Sequence, residues 1–117
     1  MPYGYEQRVW DAAKREAKTI LQARAKRRAN QTITYAELAA EITAIRFRAE
    51  ESAFHQMLGE ISVEEHKRTM GMLSVLVVLK DSLQPGGGFF KLAKELGHDV
   101  RDKTAFFIEE LNRVIAA

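Results

Sequence analysis

No cysteine occurs among the 117 residues, and there are only two prolines and one tryptophan. Without thiols the chain can form neither disulfides nor thiolate metal sites, so a reducing, cytoplasmic location is expected. Long hydrophobic runs are missing too. The longest, MLSVLVVL at 72–79, falls far short of the ~20 residues a membrane-spanning helix needs. The start, MPYGYEQRVW, lacks the basic-then-apolar pattern of a secretion signal. No membrane partner is expected. No internal repeat or low-complexity linker interrupts the chain, and 46% apolar with 29% charged residues is ordinary for a globular protein. A single domain over 1–117 follows, large enough to bury roughly two-thirds of its unfolded surface.

Charge is scarce in net terms, at +2, but unevenly placed. Residues 1–34 carry eight basic and three acidic groups, residues 35–66 two basic and seven acidic, and residues 67–117 eight basic and six acidic. Such segregation can produce faces of opposite sign on a nearly neutral molecule.

The apolar spacing of Val9, Trp10, Ala13, Ala17, Ile20 and Leu21 predicts a helix over 6–29, with Asn30 as its stop. In TITYAELAAEI, Thr34 and Glu37 make a capping box, with Ile33 and Leu38 as a hydrophobic staple, so a second helix is expected over 35–42. A third is expected over 49–58, stopped by Gly59. Ser62 and Glu65 repeat the capping-box pattern and predict a short helix ending near Gly71. LSVLVVLK at 73–80 is β-branched and almost continuously apolar, and reads as a buried strand. Its partners would be 32–33 and the 84–90 stretch, giving two or three short strands. Further helices are expected over 89–96, ended by Gly97, and from Asp102 onward with Phe106, Phe107, Leu111, Val114 and Ile115 inward. The expected fold is α+β and mostly helical: a winged-helix-like helix-turn-helix with a small sheet.

The strings VWDAAK, TYAELAAEI and FHQMLGEI, followed by a β-branched stretch and a glycine-rich turn, carry a resemblance. Over about residues 8–88 the chain resembles the C-terminal winged-helix domain of the alkylguanine-DNA alkyltransferases. It is closer still to the catalytically inactive alkyltransferase-like proteins. The resemblance implies a helix-turn-helix that docks in the DNA minor groove. Two departures qualify it. The family's Pro-Cys-His-Arg segment has no counterpart, so alkyl transfer to a thiolate is impossible here. Its Arg-Ala-Val-Gly string is replaced by FRAEESAFHQMLG, whose Glu50 and Glu51 would repel phosphates.

Two stretches invite a polyanion. Arg24, Lys26, Arg27 and Arg28 crowd one helix end, with Arg46, Arg48, Thr32 and Tyr35 available to add phosphate or sugar contacts. The run Pro85-Gly86-Gly87-Gly88 could either supply positive φ to a mobile wing or let backbone amides approach an anion, reinforced by Lys91 and Lys94. Other constellations fall short. Glu51 with His55, the Glu64-Glu65-His66 cluster, the EHK triplet at 65–67 and Ser62 with His66 each lack the further group their chemistry needs. No metal, cofactor or catalytic role is expected. The reading is a non-enzymatic DNA-binding protein. The alternative is a protein-interaction module that meets a partner or a second copy through the acidic middle segment and Tyr3, Tyr5, Phe47 and Phe89.

Overall fold

In the computed structural model, which describes residues 2–68 and 70–117, the stripe expected to be apolar is the one buried. Helix α1 (Gln7–Ala25) turns Trp10, Ala13, Ala17, Leu21 and Ala25 inward. Those three- and four-residue steps share one face of a helix with 3.6 residues per turn. The helix ends four residues before the expected position, because after Ala25 every residue to Asn30 is exposed and none holds another turn on the core. Asn30 does take a positive φ of 56°, which asparagine tolerates, and the chain turns there toward the first strand.

Strand β1 (Ile33–Thr34) leads straight into α2 (Tyr35–Glu41), which begins as the capping box requires. The Glu37 N–H donates to the Thr34 hydroxyl at 3.2 Å, and the Thr34 N–H donates to the Glu37 carboxylate at 3.0 Å. Ile33 and Leu38 are both buried.

Helix α3 (Ser52–Lys67) corrects two expectations. It runs unbroken through Gly59, where a stop was expected. A glycine inside a helix costs only about 1 kcal/mol relative to alanine. The buried Phe54, Met57, Leu58 and Ile61 on either side outweigh that. Ser62 caps no helix. Its hydroxyl is fully buried inside α3, where it accepts the Ser74 N–H at 3.0 Å and pairs with the Ser74 hydroxyl at 2.5 Å.

The expected strand at 73–80 is mostly something else. Leu73–Leu76 form a 3-10 turn, and only β2 (Val77–Val78) is extended. β2 lies parallel to β1, with Ile33 opposite Val77 and Thr34 opposite Val78, so the partner expected at 32–33 is shifted by one residue. The 84–90 stretch adds no strand. The continuous apolar run marks a segment buried on all sides, packed on α1, α3 and α5, and such a run does not by itself imply an extended chain.

Helix α4 (Gly87–Glu95) begins two residues earlier than expected. It ends at Gly97, whose φ is +96°, with the His98 N–H reaching the Ala93 carbonyl and the Gly97 N–H the Lys94 carbonyl. Asp102 caps α5 (Lys103–Ala116) through a 3.0 Å bond from the Ala105 N–H. The fold is therefore α+β and mostly helical, with one two-stranded parallel sheet among the described residues. No described helix is long and apolar enough to cross a membrane.

Two glycine substitutions should act in opposite directions. At Gly71, φ is +85° and an added Cβ would sit 2.9 Å from Val114 Cγ2. Gly71→Ala should lower stability by roughly 1–3 kcal/mol. At Gly59 the added Cβ meets only Leu92 Cδ2 at 3.7 Å, so Gly59→Ala should raise stability by up to about 1 kcal/mol. Urea midpoints at unchanged slope measure both.

Candidate nucleic-acid interface

The opposite charges of the first two segments meet where α1 packs against α3. α1 packs along α3, where Lys14 bridges Glu60 and Glu64 at 2.9 Å each and Lys18 reaches Glu65 at 2.7 Å. Burial alone would lower the Lys14 ammonium, but Glu60 and Glu64 outweigh it and raise it above 10.5. Burial would raise the Glu60 carboxyl. Donation from Trp10, Lys14 and Gln56 holds it below 4.5 instead. Glu37 serves the capping box, Glu50 pairs with Arg48 at 2.8 Å, and Glu51 accepts the Arg48 N–H at 2.8 Å. The acidic segment is thus largely engaged within the fold.

The same accounting sorts the basic candidates. Arg24 is a brace: one guanidinium nitrogen donates to the carbonyls of Asn30 at 3.1 Å and Thr32 at 3.0 Å, tying down the chain between α1 and β1. Arg48 is neutralised by Glu50. Arg46 stands near Glu16, whose carboxylate accepts bonds from the N–H and hydroxyl of Thr43 and the N–H of Ala44. Burial would raise that carboxyl, but these donors and Arg46 hold it below 4.5. Lys26, Arg27 and Arg28 remain. All three are exposed, adjacent in the chain, and without an ion pair among the described residues. Their backbone is ordered by bonds from the Lys26 and Arg27 N–H groups to α1 carbonyls and from the Gln31 amide to the Arg27 carbonyl.

The glycine run sits elsewhere. Gly86 precedes α4 with φ of −70°, Gly87 and Gly88 open that helix, and none of the three has a positive φ. The expectation that they supply left-handed backbone is therefore corrected. The Gly86 N–H donates to the Tyr35 hydroxyl at 3.0 Å, so Tyr35 belongs to the glycine run and not to the basic turn. Gly88 lines a cleft with Ser52, His55, Gln56 and Gly59, in the first half of α3. Lys26 instead lines a hollow with Glu65 and Met70, at the far end of α3. Ser52 and Glu65 are about 20 Å apart along a helix that rises 1.5 Å per residue. The two groups expected to clamp one polyanion lie at opposite ends of the same helix. Lys91 and Lys94, on α4, are exposed and share neither hollow with Lys26.

Two of the expected aromatic anchors are internal. Phe47 and Phe89 are buried, Phe47 between Trp10 and Phe54 with ring centroids 6.4 and 5.3 Å away. Tyr5 is half-buried and Tyr3 exposed. His66 faces His98 across 5.2 Å, and no group of three His, Cys, Asp or Glu among the described residues could hold a metal ion. The sequence reading missed the convergence of Tyr35, His55 and Gly86, three segments joined only by the fold. His55 stacks on Tyr35 at 4.9 Å and its Nε2 lies 2.8 Å from the Ala49 carbonyl.

Comparison with protein-family models, curated proteins and solved structures finds no match to this chain.

The brace and the free turn should separate under mutation. Arg24→Ala should lower stability by about 1 kcal/mol and loosen residues 30–32 in hydrogen exchange. Arg28→Ala should stay within about 0.5 kcal/mol of wild type, by chemical denaturation.

Proposed function

We propose that the chain is a small, non-enzymatic nucleic-acid-binding protein that holds the phosphate backbone through Lys26, Arg27 and Arg28. One observation carries the reading: these are three consecutive exposed cations with no ion pair among the described residues, whereas Lys14, Lys18, Arg48 and Arg101 are each matched by a carboxylate and the unpaired Lys91 and Lys94 are separated in the chain. Cations that neutralise phosphates release condensed counterions, which gives binding that weakens steeply with salt. Their place beyond the C-terminal end of α1 adds no repulsion, since that end of a helix favours positive charge.

Duplex DNA is the polyanion implied by the resemblance to the alkyltransferase-like winged-helix domains. In that reading α2 and α3 stand as the two helices of the helix-turn-helix. The parallel strands supply no hairpin wing, so the backbone contacts fall to the basic turn. Contacts from three cations without base readout give weak, sequence-independent affinity, in the range of roughly 10⁻⁴–10⁻⁶ M at physiological salt. The alternative of an acidic interaction surface has less support, because Glu37, Glu50, Glu51, Glu60, Glu64 and Glu65 already have partners within the chain.

Titrating labelled duplex DNA at several salt concentrations tests the reading. The logarithm of affinity should fall with the logarithm of salt at a slope of about −3, and a Lys26/Arg27/Arg28→Ala variant should lose nearly all of that slope. Absence of micromolar binding at low salt, or a triple variant that binds as wild type does, would overturn it.

A further inference from the structure

Helix α5 carries two seams, and the fold covers one of them. Phe106, Glu110 and Val114, four residues apart, are buried in the core. Thr104, Ile108, Leu111 and Ile115 follow steps of four, three and four along another side of the same helix. A mean step near 3.5 is the spacing by which one helix packs along another. Thr104 is exposed, Ile108 is 51% exposed, and Leu111 and Ile115 are half-buried, so the second seam is left largely open.

The other exposed apolar side chains gather at the two ends of this seam. The Gln84 amide donates to the Thr104 hydroxyl at 3.1 Å, which holds the 79–84 loop, with its exposed Leu79 and Leu83, against the first turn of α5. Leu83 is 63% exposed and sits at a φ of 58°, a conformation disfavoured for leucine, with little packing on its side chain to offset it. At the other end Ile115 shares a hollow with the exposed Met70. Of the large apolar side chains exposed among the described residues, only Tyr3 lies elsewhere, stacked on Trp10 of α1. Apolar side chains gathered on one side, rather than scattered singly, mark an interaction surface. The seam is also uncharged. Ala105 and Asn112 flank it, while Lys103, Glu109 and Arg113 lie more than about 100° around the helix.

We propose that this strip pairs two copies of the chain, α5 against α5, in antiparallel orientation. A second copy supplies the same spacing on an equally uncharged seam, so neither copy buries an unpaired charge. In this register Ile108 meets Leu111 of the second copy and Thr104 meets its Ile115. The Leu83 end of each strip then reaches the Met70 end of the other. Charge sets the direction. Lys26 edges the hollow at the Ile115 end, so a parallel pairing would crowd the two basic turns together. Antiparallel pairing keeps them apart and also opposes the helix dipoles. The contact buries on the order of 1,000 Å² in total, the low end of specific interfaces, and gives a weak dimer with a Kd of about 10–100 µM. The proposal is independent of the nucleic-acid reading.

Sedimentation velocity of the full chain, without nucleic acid, over about 5–500 µM tests it. The chain should be monomeric at the low end and dimeric at the high end. Ile108→Glu should melt as wild type does and weaken pairing by about tenfold or more. Because the chain has no cysteine, introduced thiols report the register. A Thr104→Cys chain mixed with an Ile115→Cys chain should form the mixed disulfide on oxidation. Thr104→Cys alone should not crosslink, since its two copies stand about 16 Å apart along the helix axis, beyond the ~7 Å a disulfide spans. Three results would overturn the proposal: a chain still monomeric at the highest concentration, which would leave the strip to another protein's helix; an Ile108→Glu chain that pairs as wild type does; or a Thr104→Cys chain that crosslinks to itself.

Discussion

Two buried side-chain hydrogen bonds hold the segment on which the other elements converge. The Ser74 N–H donates to the Ser62 hydroxyl of α3 at 3.0 Å, and the Met72 N–H donates to the Glu110 carboxylate of α5 at 2.7 Å. Both acceptors are almost completely buried, Ser62 at 0% and Glu110 at 1% exposure. A backbone N–H in that setting without an acceptor would cost about 1–3 kcal/mol. Pinned from both sides, residues 73–76 close into a 3-10 turn that fills the space between α1, α3 and α5. Only Val77 and Val78 are left to pair with β1, which keeps the sheet at two short strands. The position of β1 then fixes Tyr35, and Tyr35 reaches Gly86 at the mouth of the α3–α4 cleft. The Tyr35–His55–Gly86 junction takes its place from this arrangement.

Charge follows from the same packing. With α1 laid along α3, the cationic first segment of the chain faces the anionic second one, and Lys14 and Lys18 meet Glu60, Glu64 and Glu65. Partly exposed pairs of this kind add little stability, roughly 0–1 kcal/mol each. Their larger effect is to cancel field, so that a strong asymmetry along the sequence becomes a mild one over the surface. Among the described residues no carboxylate pairs with Lys26, Arg27 or Arg28 in the turn after α1, nor with Lys91 or Lys94 on α4. The turn after α1 thus holds three adjacent unpaired cations, and the unpaired Lys91 and Lys94 of α4 stand apart from it.

Features written over three or four residues were legible in the sequence. The Thr34–Glu37 box and the Gly97 stop each depend on neighbours within one helical turn, and each stands where expected. Ser62 and Glu65 carry the same local pattern, yet their partners are Ser74 and Lys18, twelve and forty-seven positions away, so tertiary contacts decided their role. The apolar run at 73–80 signalled burial correctly as far as Val78 and extension only for Val77 and Val78, because a buried turn and a central strand show the same lack of alternation. The basic run was legible as a cluster of charge. Its distance from the glycine run was not, since that depends on the direction in which α3 carries the chain between them. The Tyr35–His55–Gly86 junction draws on three segments with no shared motif, and nothing short of the fold brings them into view.

The separation of the basic turn from the glycine run is the claim on which the functional account rests. Amide shifts of the chain on addition of a short DNA duplex at low salt test it most directly. The account predicts salt-sensitive, saturable changes centred on residues 24–32, with residues 86–94 unmoved. Changes centred on 86–94, or spread evenly over both regions, would contradict it.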